Sequence, residues 1–272
     1  MEKEYPLRCP VCEGKLRKIE KSYVCGKNHS FDIARQGYVN LLPVQNKHSR
    51  SPGDTRAMLL ARREFLDNGF YEPVCRDAAE LINKYKKTKT PLIADIGSGE
   101  GYYTCQLQEL CSADCIGVDI AKEAAKMSCS RSRDILWTVA TASHLPLEDE
   151  SVDVITAVFS LFVNDEYERV LKKGGIVVEI SAGNRHLTEL KSIIYDEVFV
   201  QDKHQPAFSE SFSELCSFER EFRIKTDKVR LRALLEMTPH SHRISKEQSE
   251  RLDSISRLEL TVNYLIRVLE KK

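Results

Sequence analysis

The sequence lacks several features that would place it in whole classes of protein. It contains no run of 18 apolar residues, so we expect no membrane-spanning helix. Its first residues do not form a cationic and then apolar leader, which argues against secretion. It has no internal repeat and no low-complexity tract, which excludes a repeat protein. With 272 residues, the chain is long enough for one large domain and a small appendage.

The chain also has no excess charge of either sign, since 41 Lys and Arg balance 41 Asp and Glu. The balance is uneven, however. Residues 1–50 carry ten basic and five acidic residues, a net +5, whereas the rest carries 31 and 36, a net −5. A basic N-terminal part on a mildly acidic body fits nucleic-acid binding, and it fits a charged, solvated surface equally well.

Cysteine is plentiful, but its spacing does not form a disulfide framework. The count of nine is odd, and we expect reduced thiols in a cytoplasmic protein. Four residues form a pattern of their own: Cys9 and Cys12 as C-x2-C, then Cys25 and His29 as C-x3-H after twelve intervening residues. These spacings predict a structural zinc site, against the alternatives of incidental thiols or a redox pair. Four protein ligands leave no position for a catalytic water, so this zinc should support folding and present a surface.

The distribution of apolar residues and turn residues divides the chain into three regions. Residues 1–40 form the zinc module, residues 41–86 a linker with two helices, and residues 87–272 the main domain. We expect the helices over about 55–68, capped by Asp54 or Thr55, and over 71–86.

From Pro91 onwards, short buried strands alternate with helical stretches, which predicts an α/β fold with a doubly wound, mostly parallel sheet. Strands are expected near 92–96, 114–118, 135–139, 152–158 and 175–181, and helices near 101–111, 121–130, 164–171 and 187–199. The last third predicts an antiparallel hairpin at the edge of the sheet. Its strands lie over 217–225 and 257–268, with a helix at 227–237 between them.

A glycine-rich loop follows the first predicted strand of the main domain. Asp95, Gly97, Gly99 and Gly101 form the pattern D-x-G-x-G-x-G, and a helix begins after it. Glycines at this position let a ligand approach the backbone at the helix N-terminus. The dinucleotide fingerprint needs its third glycine where Tyr102 stands, so a pyrophosphate fits poorly. The pattern instead resembles the S-adenosylmethionine loop of class I methyltransferases.

Three further motifs of that superfamily follow in order. Asp119 ends the second strand, 18 residues beyond Gly101, where a carboxylate can accept hydrogen bonds from ribose hydroxyls. Residues 141–147, which include Ala142 and Ser143, resemble the loop that lines the adenine, although many of these enzymes have Asp where Thr141 stands. Residues 171–178 resemble the turn into strand five. The resemblance therefore implies S-adenosylmethionine as the cofactor, and another doubly wound nucleotide binder is the alternative.

Two common methyl acceptors are disfavoured by motifs that the sequence lacks. Methylation of cytosine C5 needs a nucleophilic Cys, and none occurs in residues 157–161 after the fourth strand. Methylation of an exocyclic amine commonly uses Asn/Asp-Pro-Pro-Tyr/Phe at the same place, and this motif is absent too. A ring nitrogen, an oxygen or a small molecule remains as the acceptor.

Nearly the full length of the chain resembles the RlmA (RrmA) family of bacterial 23S rRNA guanine-N1 methyltransferases. The segments that carry this resemblance are C-P-V-C at 9–12, residues 31–44 with G-Y-V-N-L-L-P at 37–43, S-P-G-D at 51–54, A-R-R-E-F-L-D at 61–67, residues 95–104, R-H-L at 185–187, E-L-K at 189–191 and L-L-E-M-T-P at 234–239. The resemblance implies a guanine in a hairpin of 23S rRNA as the substrate, a zinc module that helps to bind the RNA, and a homodimer.

The same resemblance places Tyr71 and His186 in the cofactor pocket with Gly99 and Glu100. Guanine N1 carries a proton that a base must remove. The sequence does not identify this base; Asp54 and Glu179 are candidates. Asp54 can equally be a helix cap, and Glu179 an ordinary residue at a strand end.

Five basic residues near the junction of module and body are candidates for contact with RNA phosphates: Lys47, His48, Arg50, Arg62 and Arg63. The alternative is that Arg62 and Arg63 are solvent-exposed charges on a helix. Two other functions stay open from the sequence. One is a small-molecule methyltransferase with a structural zinc finger, and the other is a binding protein for which the methyl donor is only a ligand.

Overall fold

The structure is a computed structural model that describes residues 3–43, 45, 52–195, 207–238 and 244–272. The N-terminal module is built on a small antiparallel sheet of three strands, β1 (Leu16–Ile19), β2 (Ser22–Cys25) and β3 (Ser30–Asp32). A short strand, β4 (Val39–Asn40), then leaves this sheet and joins the large sheet of the main domain. The module is therefore continuous with the body through backbone hydrogen bonds.

Two helices follow the module, α1 (Arg56–Asp67) and α2 (Glu72–Tyr85). The hydroxyl of Thr55 accepts the N–H of Met58 at 3.3 Å, so Thr55 rather than Asp54 caps the first helix. Proline in the first turn of the second helix costs no hydrogen bond, because the N–H groups there have no partner within the helix. Both helices bury one apolar face, as their sequence periodicity predicts.

The main domain is a doubly wound sheet, as predicted. Its strands are β5 (Leu92–Ile96), β6 (Asp114–Asp119), β7 (Leu136–Val139), β8 (Val152–Val158), β9 (Leu171–Ala182), β10 (Phe212–Asp227) and β11 (Arg257–Lys271). Its helices are α3 (Tyr102–Cys111), α4 (Lys122–Ser128), α5 (Asn164–Val170), α6 (Thr188–Ile194), α7 (Lys228–Glu236) and α8 (Lys246–Asp253).

The strand order across the sheet is β10-β11-β9-β8-β5-β6-β7-β4. Neighbouring strands from β9 to β4 are parallel, and β11 pairs antiparallel with both β9 and β10. The predicted antiparallel hairpin at the sheet edge is therefore confirmed. Apolar side chains cover both faces of the sheet, which explains why its central strands read as continuous apolar runs.

Three details differ from the sequence prediction. The last hairpin encloses a second helix, α8, which begins with a capping box between Ser245 and Gln248. The helix expected over 187–199 ends at Ile194, and residues 196–199 lie outside the described residues. The module contributes β4 to the large sheet. In the described ranges, no helix is both long and apolar enough to cross a membrane.

Candidate functional site

The four predicted zinc ligands lie together in the N-terminal module. Their ligand atoms all fall within 4.8 Å of one another. The Sγ atoms of Cys12 and Cys25 are 3.6 Å apart, and Nδ1 of His29 lies 3.6 Å from Sγ of Cys9 and 3.4 Å from Sγ of Cys25. A tetrahedral zinc with bonds of about 2.3 Å to sulfur and about 2.0 Å to nitrogen requires about 3.8 Å between sulfurs and about 3.5 Å between sulfur and nitrogen. The cluster therefore fits a zinc ion bound by three thiolates and one imidazole.

The module is held against the body at two places. Val39 and Asn40 pair with Thr138 and Val139 of β7, and the N–H of Leu41 donates to the carbonyl of Val139 at 2.9 Å. On the other side of the module, the N–H of Arg8 donates to Pro146 O at 3.0 Å, and the N–H of Glu148 donates to Pro6 O at 2.9 Å. The loop between these two contacts, residues 140–143, lines a cavity of the body.

That cavity has a volume of about 920 Å³, within the range of roughly 300–1,000 Å³ of small-molecule sites. It lies beyond the carboxyl ends of β5, β6, β7, β8 and β9, where open α/β sheets bind their ligands. Each strand is followed by a segment that forms part of the wall: residues 97–100, 119–120, 140–143, 159–161 and 186–187. Residues of α1 and the start of α2 cover it from the other side.

The glycine loop forms the floor of this cavity. Gly97 has φ +79°, and a Cβ there would lie 2.0 Å from Oγ of Ser160. Gly99 also has a positive φ, of +56°. Positive φ is accessible to glycine at little cost, which explains the two positions. Gly101 does not line the cavity; instead it packs against Trp137 and caps α3.

Asp119 fixes the shape of the loop through both carboxylate oxygens. Oδ2 accepts the N–H of Gly99 at 2.8 Å, and Oδ1 accepts the N–H of Ala121 at 2.8 Å. Burial raises the pKa of Asp119, although these two backbone donors oppose the shift. Asp119 lines the cavity, and each oxygen keeps a lone pair for a ligand hydroxyl.

Asp95 lies behind the loop rather than in the cavity. Its carboxylate is fully buried and accepts hydrogen bonds from the hydroxyls of Thr104 and, at 2.8 Å, Thr156. Burial raises its pKa to about 6, because a charged carboxylate loses its hydration there. Asp95 therefore holds β5, β8 and α3 together beneath the glycine loop.

Glu100 is the centre of a buried ion-pair cluster. Only 1% exposed, it accepts hydrogen bonds at Oε2 from Nε of Arg63 at 2.9 Å and from Nε of Arg131 at 2.5 Å. Arg63 also donates to the carbonyl of Met127 at 2.9 Å. Oε1 of Glu100 is buried and has no hydrogen-bond partner among the described residues, so it can accept from a cationic group of a ligand in the cavity that Glu100 lines.

Tyr71 and His186 meet in the cavity wall, as the family resemblance implies. The hydroxyl of Tyr71 lies 3.4 Å from Nε2 of His186, and Nδ1 of His186 lies 2.9 Å from the carbonyl of Asn263. Burial raises the pKa of Tyr71, so it stays neutral and can donate a hydrogen bond. The ring of Phe159 packs against both, with centroid distances of 5.9 Å to Tyr71 and 5.6 Å to His186.

The two candidate bases have different surroundings. Asp54 lines the cavity and forms an ion pair with Arg62, whose other nitrogen donates to Met237 O at 3.1 Å. Glu179 does not line the cavity. It is buried in an ion pair with Arg267, with both side chains 4% exposed and Nε 2.8 Å from Oε2. This placement argues against Glu179 as the base, because its carboxylate is already engaged by the guanidinium group of Arg267.

The predicted contacts with RNA phosphates are partly outside the described residues, because Lys47, His48 and Arg50 lie there. The guanidinium group of Arg62 forms an ion pair with Asp54 and that of Arg63 forms one with Glu100, and each arginine side chain is 25% exposed.

Of the predicted cofactor residues, eight line the cavity: Tyr71, Gly97, Gly99, Glu100, Asp119, Ala142, Ser143 and His186. Asp95 and Gly101 support the loop from behind. Sequence reasoning did not single out Phe159 and Ser160, which also line the cavity. They directly follow β8, the position that the sequence analysis searched for acceptor motifs. This position is the signal by which the sequence could have identified them.

Comparisons with known proteins agree with this geometry. Residues 7–50 match the family model described as RlmA, N-terminal, and residues 94–178 match that of a methyltransferase domain. YxjB of Bacillus subtilis, provisionally assigned as a 23S rRNA (guanine-N(1)-)-methyltransferase, is 28% identical over 272 residues, covering 94% of each chain.

Two further relatives match about two thirds of the chain. The 23S rRNA (guanine(748)-N(1))-methyltransferase of Streptomyces fradiae is 32% identical over 187 residues, 68% of this chain and 66% of that one. A provisionally assigned 23S rRNA (guanine-N(1)-)-methyltransferase of Micromonospora griseorubida is 32% identical over 203 residues, 68% of both chains. Among solved structures, a provisionally assigned type II methyltransferase of Anaeromyxobacter dehalogenans has a TM-score of 0.50 at 18% identity. That likeness covers 71% of this chain and 94% of the other, and it supports the fold.

The doubly wound sheet with its reversed last pair, together with the cavity at its carboxyl edge, defines a class I methyltransferase that uses S-adenosylmethionine. The three cysteines and one histidine of the N-terminal module form a zinc ribbon joined to that domain. The chain belongs to the RlmA family of 23S rRNA (guanine-N1)-methyltransferases.

Proposed function

We propose that this protein transfers the methyl group of S-adenosylmethionine to N1 of a guanine in a hairpin of 23S rRNA. The single observation that supports this most is the attachment of the zinc module to the cavity wall. Val39 and Asn40 pair with β7, and β7 leads directly into residues 140–143 of the cavity. A nucleic acid held by the module is therefore held beside the cofactor site.

Different residues of the cavity are proposed to bind different parts of the cofactor. We assign the ribose hydroxyls to Asp119 and the adenine to the backbone of residues 140–143. The methionine end is assigned to Tyr71 and His186, with Glu100 Oε1 as an acceptor for its ammonium group. When bound, the cofactor supplies an electrophilic methyl group on a cationic sulfur.

The chain itself must position the guanine in line with that methyl group and remove the N1 proton. Asp54 is the one of the two candidate carboxylates that lines the cavity, so we assign proton removal to Asp54. Arg62 orients its carboxylate through their ion pair. The guanine reaches the cavity from an unpaired loop position or by flipping out of its stem.

The basic N-terminal part supplies the electrostatic attraction to RNA. Residues 1–50 carry a net +5, and Lys47, His48 and Arg50 are the phosphate contacts that we propose within it. We further propose that the protein acts in the cytoplasm. We also propose that it forms a homodimer, which sedimentation at several protein concentrations tests directly.

The test of this function is primer extension across the 23S rRNA hairpin, in cells with and without the gene. A methyl group on N1 blocks pairing, so reverse transcription is expected to stop at the modified guanine only where the gene is present. An identical pattern in both strains would refute the proposal.

A second measurement separates an RNA substrate from a small-molecule substrate. With purified protein, turnover of the hairpin is expected to fall steeply as salt is raised, because phosphate contacts release counterions. Cys25→Ser is expected to reduce RNA turnover more than cofactor binding, with Cys216→Ser as the control outside the zinc cluster. Turnover insensitive to salt would favour a small-molecule acceptor instead.

A further inference from the structure

Phe159, the first residue after β8, has an unusual backbone conformation. Its φ is +52°, in the left-handed region that bulky L residues rarely adopt. Its neighbours hold it there. The N–H of Phe159 donates to Ile180 O at 2.7 Å, and Ser160 packs directly on Gly97. Strained conformations of this kind persist where the surrounding structure determines them, and they cluster at functional sites.

This strained backbone leaves the Phe159 ring partly in the open. The residue is 38% exposed and lines the cofactor cavity. Tyr71, His186 and Tyr103 surround the ring, with centroid distances of 5.9, 5.6 and 6.4 Å. Hydrophobic packing alone would favour burial of the ring, so packing does not explain a costly backbone that leaves it exposed.

The position of the ring matches what a flat, apolar ligand group needs. Leu161, two residues further on, is 75% exposed and also lines the cavity, so this part of the wall is apolar and open. A nucleobase offers a π face that stacks on aromatic side chains whatever its sequence context. The cofactor also contains a flat group, its adenine, but residues 140–143 after β7 are the wall that we assign to it.

We propose that Phe159 is the platform on which the target guanine stacks while its N1 faces the methyl donor. The proposal rests on the proposed function and adds a positioning residue for the RNA substrate. The ring holds the base by contact with its face and takes no part in proton transfer. The competing role is that of a cover over the methionine end of the cofactor, beside Tyr71 and His186.

The test compares three variants of the full-length protein, Phe159→Ala, Phe159→Leu and Phe159→Trp. All three carry L residues with a side chain, so the backbone cost of φ +52° is similar and differences report the ring. The measurements are kcat and KM with the rRNA hairpin and the dissociation constant of S-adenosylmethionine by calorimetry. Leu110→Ala is the control for loss of exposed apolar surface outside the cavity.

We expect Phe159→Ala and Phe159→Leu to lower kcat/KM for the hairpin roughly 5- to 150-fold, the equivalent of one stacked base. Phe159→Trp, which keeps an aromatic face, should retain activity within a few-fold. Cofactor affinity should change less than about two-fold in all three, and equal melting temperatures would show that each variant is folded. If one variant has a lowered melting temperature, it is set aside. The proposal is then judged by whether the remaining variants lose RNA turnover while they keep cofactor affinity.

Two outcomes would overturn the proposal. Loss of cofactor affinity equal to the loss of RNA turnover would make Phe159 a cofactor contact. Unchanged RNA turnover in Phe159→Ala would show that the ring does not hold the base. Failure of the wild-type protein to methylate the hairpin refutes the proposed function instead, so the two failures are distinguishable.

Discussion

Replacement of Gly97 by alanine should damage both stability and cofactor binding, and the structure gives a magnitude. Gly97 has φ +79°, where an L residue costs about 1–2 kcal/mol. The new Cβ would also lie 2.0 Å from Oγ and 2.7 Å from Cβ of Ser160. Relief of such overpacking typically costs about 1–3 kcal/mol more. We therefore expect Gly97→Ala to lower the free energy of unfolding by about 2–5 kcal/mol.

Gly99→Ala is the matched control, two residues along the same loop. Its φ of +56° imposes a similar backbone cost, but the nearest atom to its Cβ is Nη1 of Arg62 at 3.4 Å. At 3.4 Å this is an ordinary van der Waals contact, so the neighbouring side chain does not have to move. The expected loss for Gly99→Ala is therefore only the backbone part, about 1–2 kcal/mol.

The contact with Ser160 can be isolated by a double-mutant cycle. Ser160→Gly removes both close atoms and leaves its Cα at 4.0 Å from the new Cβ, an ordinary contact. In the Gly97→Ala background it should restore about 1–3 kcal/mol. Urea unfolding measures the free energy of unfolding of each variant. Calorimetric titration with S-adenosylmethionine measures whether the altered cavity wall still binds the cofactor. Equal losses for Gly97→Ala and Gly99→Ala, or the absence of rescue, would refute the reasoning.

Three other perturbations have expected outcomes. Burial raises the pKa of Asp95 from 3.8 to about 6, so the native state binds more protons than the unfolded state between these values and stability falls as pH rises from about 4 to 6. Asp95→Asn should remove this fall and gain up to about 3 kcal/mol at pH 7, which urea unfolding across about pH 4–7 would detect. A stability difference from the wild type that is constant with pH would contradict it. Elemental analysis should find one zinc per chain, and removal by a chelator should lower the melting temperature of the wild type but not further lower that of Cys25→Ser. Glu179→Gln should cost about 3–5 kcal/mol, because Arg267 would remain buried without its partner, yet kcat of the folded protein should be unchanged. A large loss of kcat at unchanged stability would restore Glu179 as a candidate base.

The fold was predictable from the sequence where the signal is local or where burial is complete. The central strands at 92–96 and 152–158 are apolar runs because both faces of a parallel sheet are covered. The zinc cluster was readable from spacing, since two turns of chain bring all four ligands together. The small helix α8 was missed because it buries a single residue, Leu252, and therefore shows no apolar stripe.

Side-chain partners distant in sequence were not predictable. Arg63 and Glu100 are 37 residues apart, and their ion pair forms only because α1 packs across the cofactor loop. Glu179 and Arg267 meet because β9 and β11 are neighbours in the sheet. The sequence leaves Arg63 open between a phosphate contact and a solvent charge, and Glu179 open between a catalytic base and an ordinary strand-end residue. The fold supplies the opposite charge in both cases.

The order of the strands also limits the size of the methyl acceptor. The zinc module is attached at β4, and the proposed guanine platform follows β8, with β7, β6 and β5 between them. Four spacings between neighbouring strands amount to about 19 Å. Across this distance an RNA hairpin can contact both Phe159 and the edge of the module at β4, whereas a single nucleotide at Phe159 does not reach β4. Damage to the module should therefore slow the methylation of an intact hairpin and leave that of a guanine mononucleotide, if any is detectable, unchanged. Equal slowing of both substrates would mean that the module acts on the cofactor cavity through β7 rather than on the RNA.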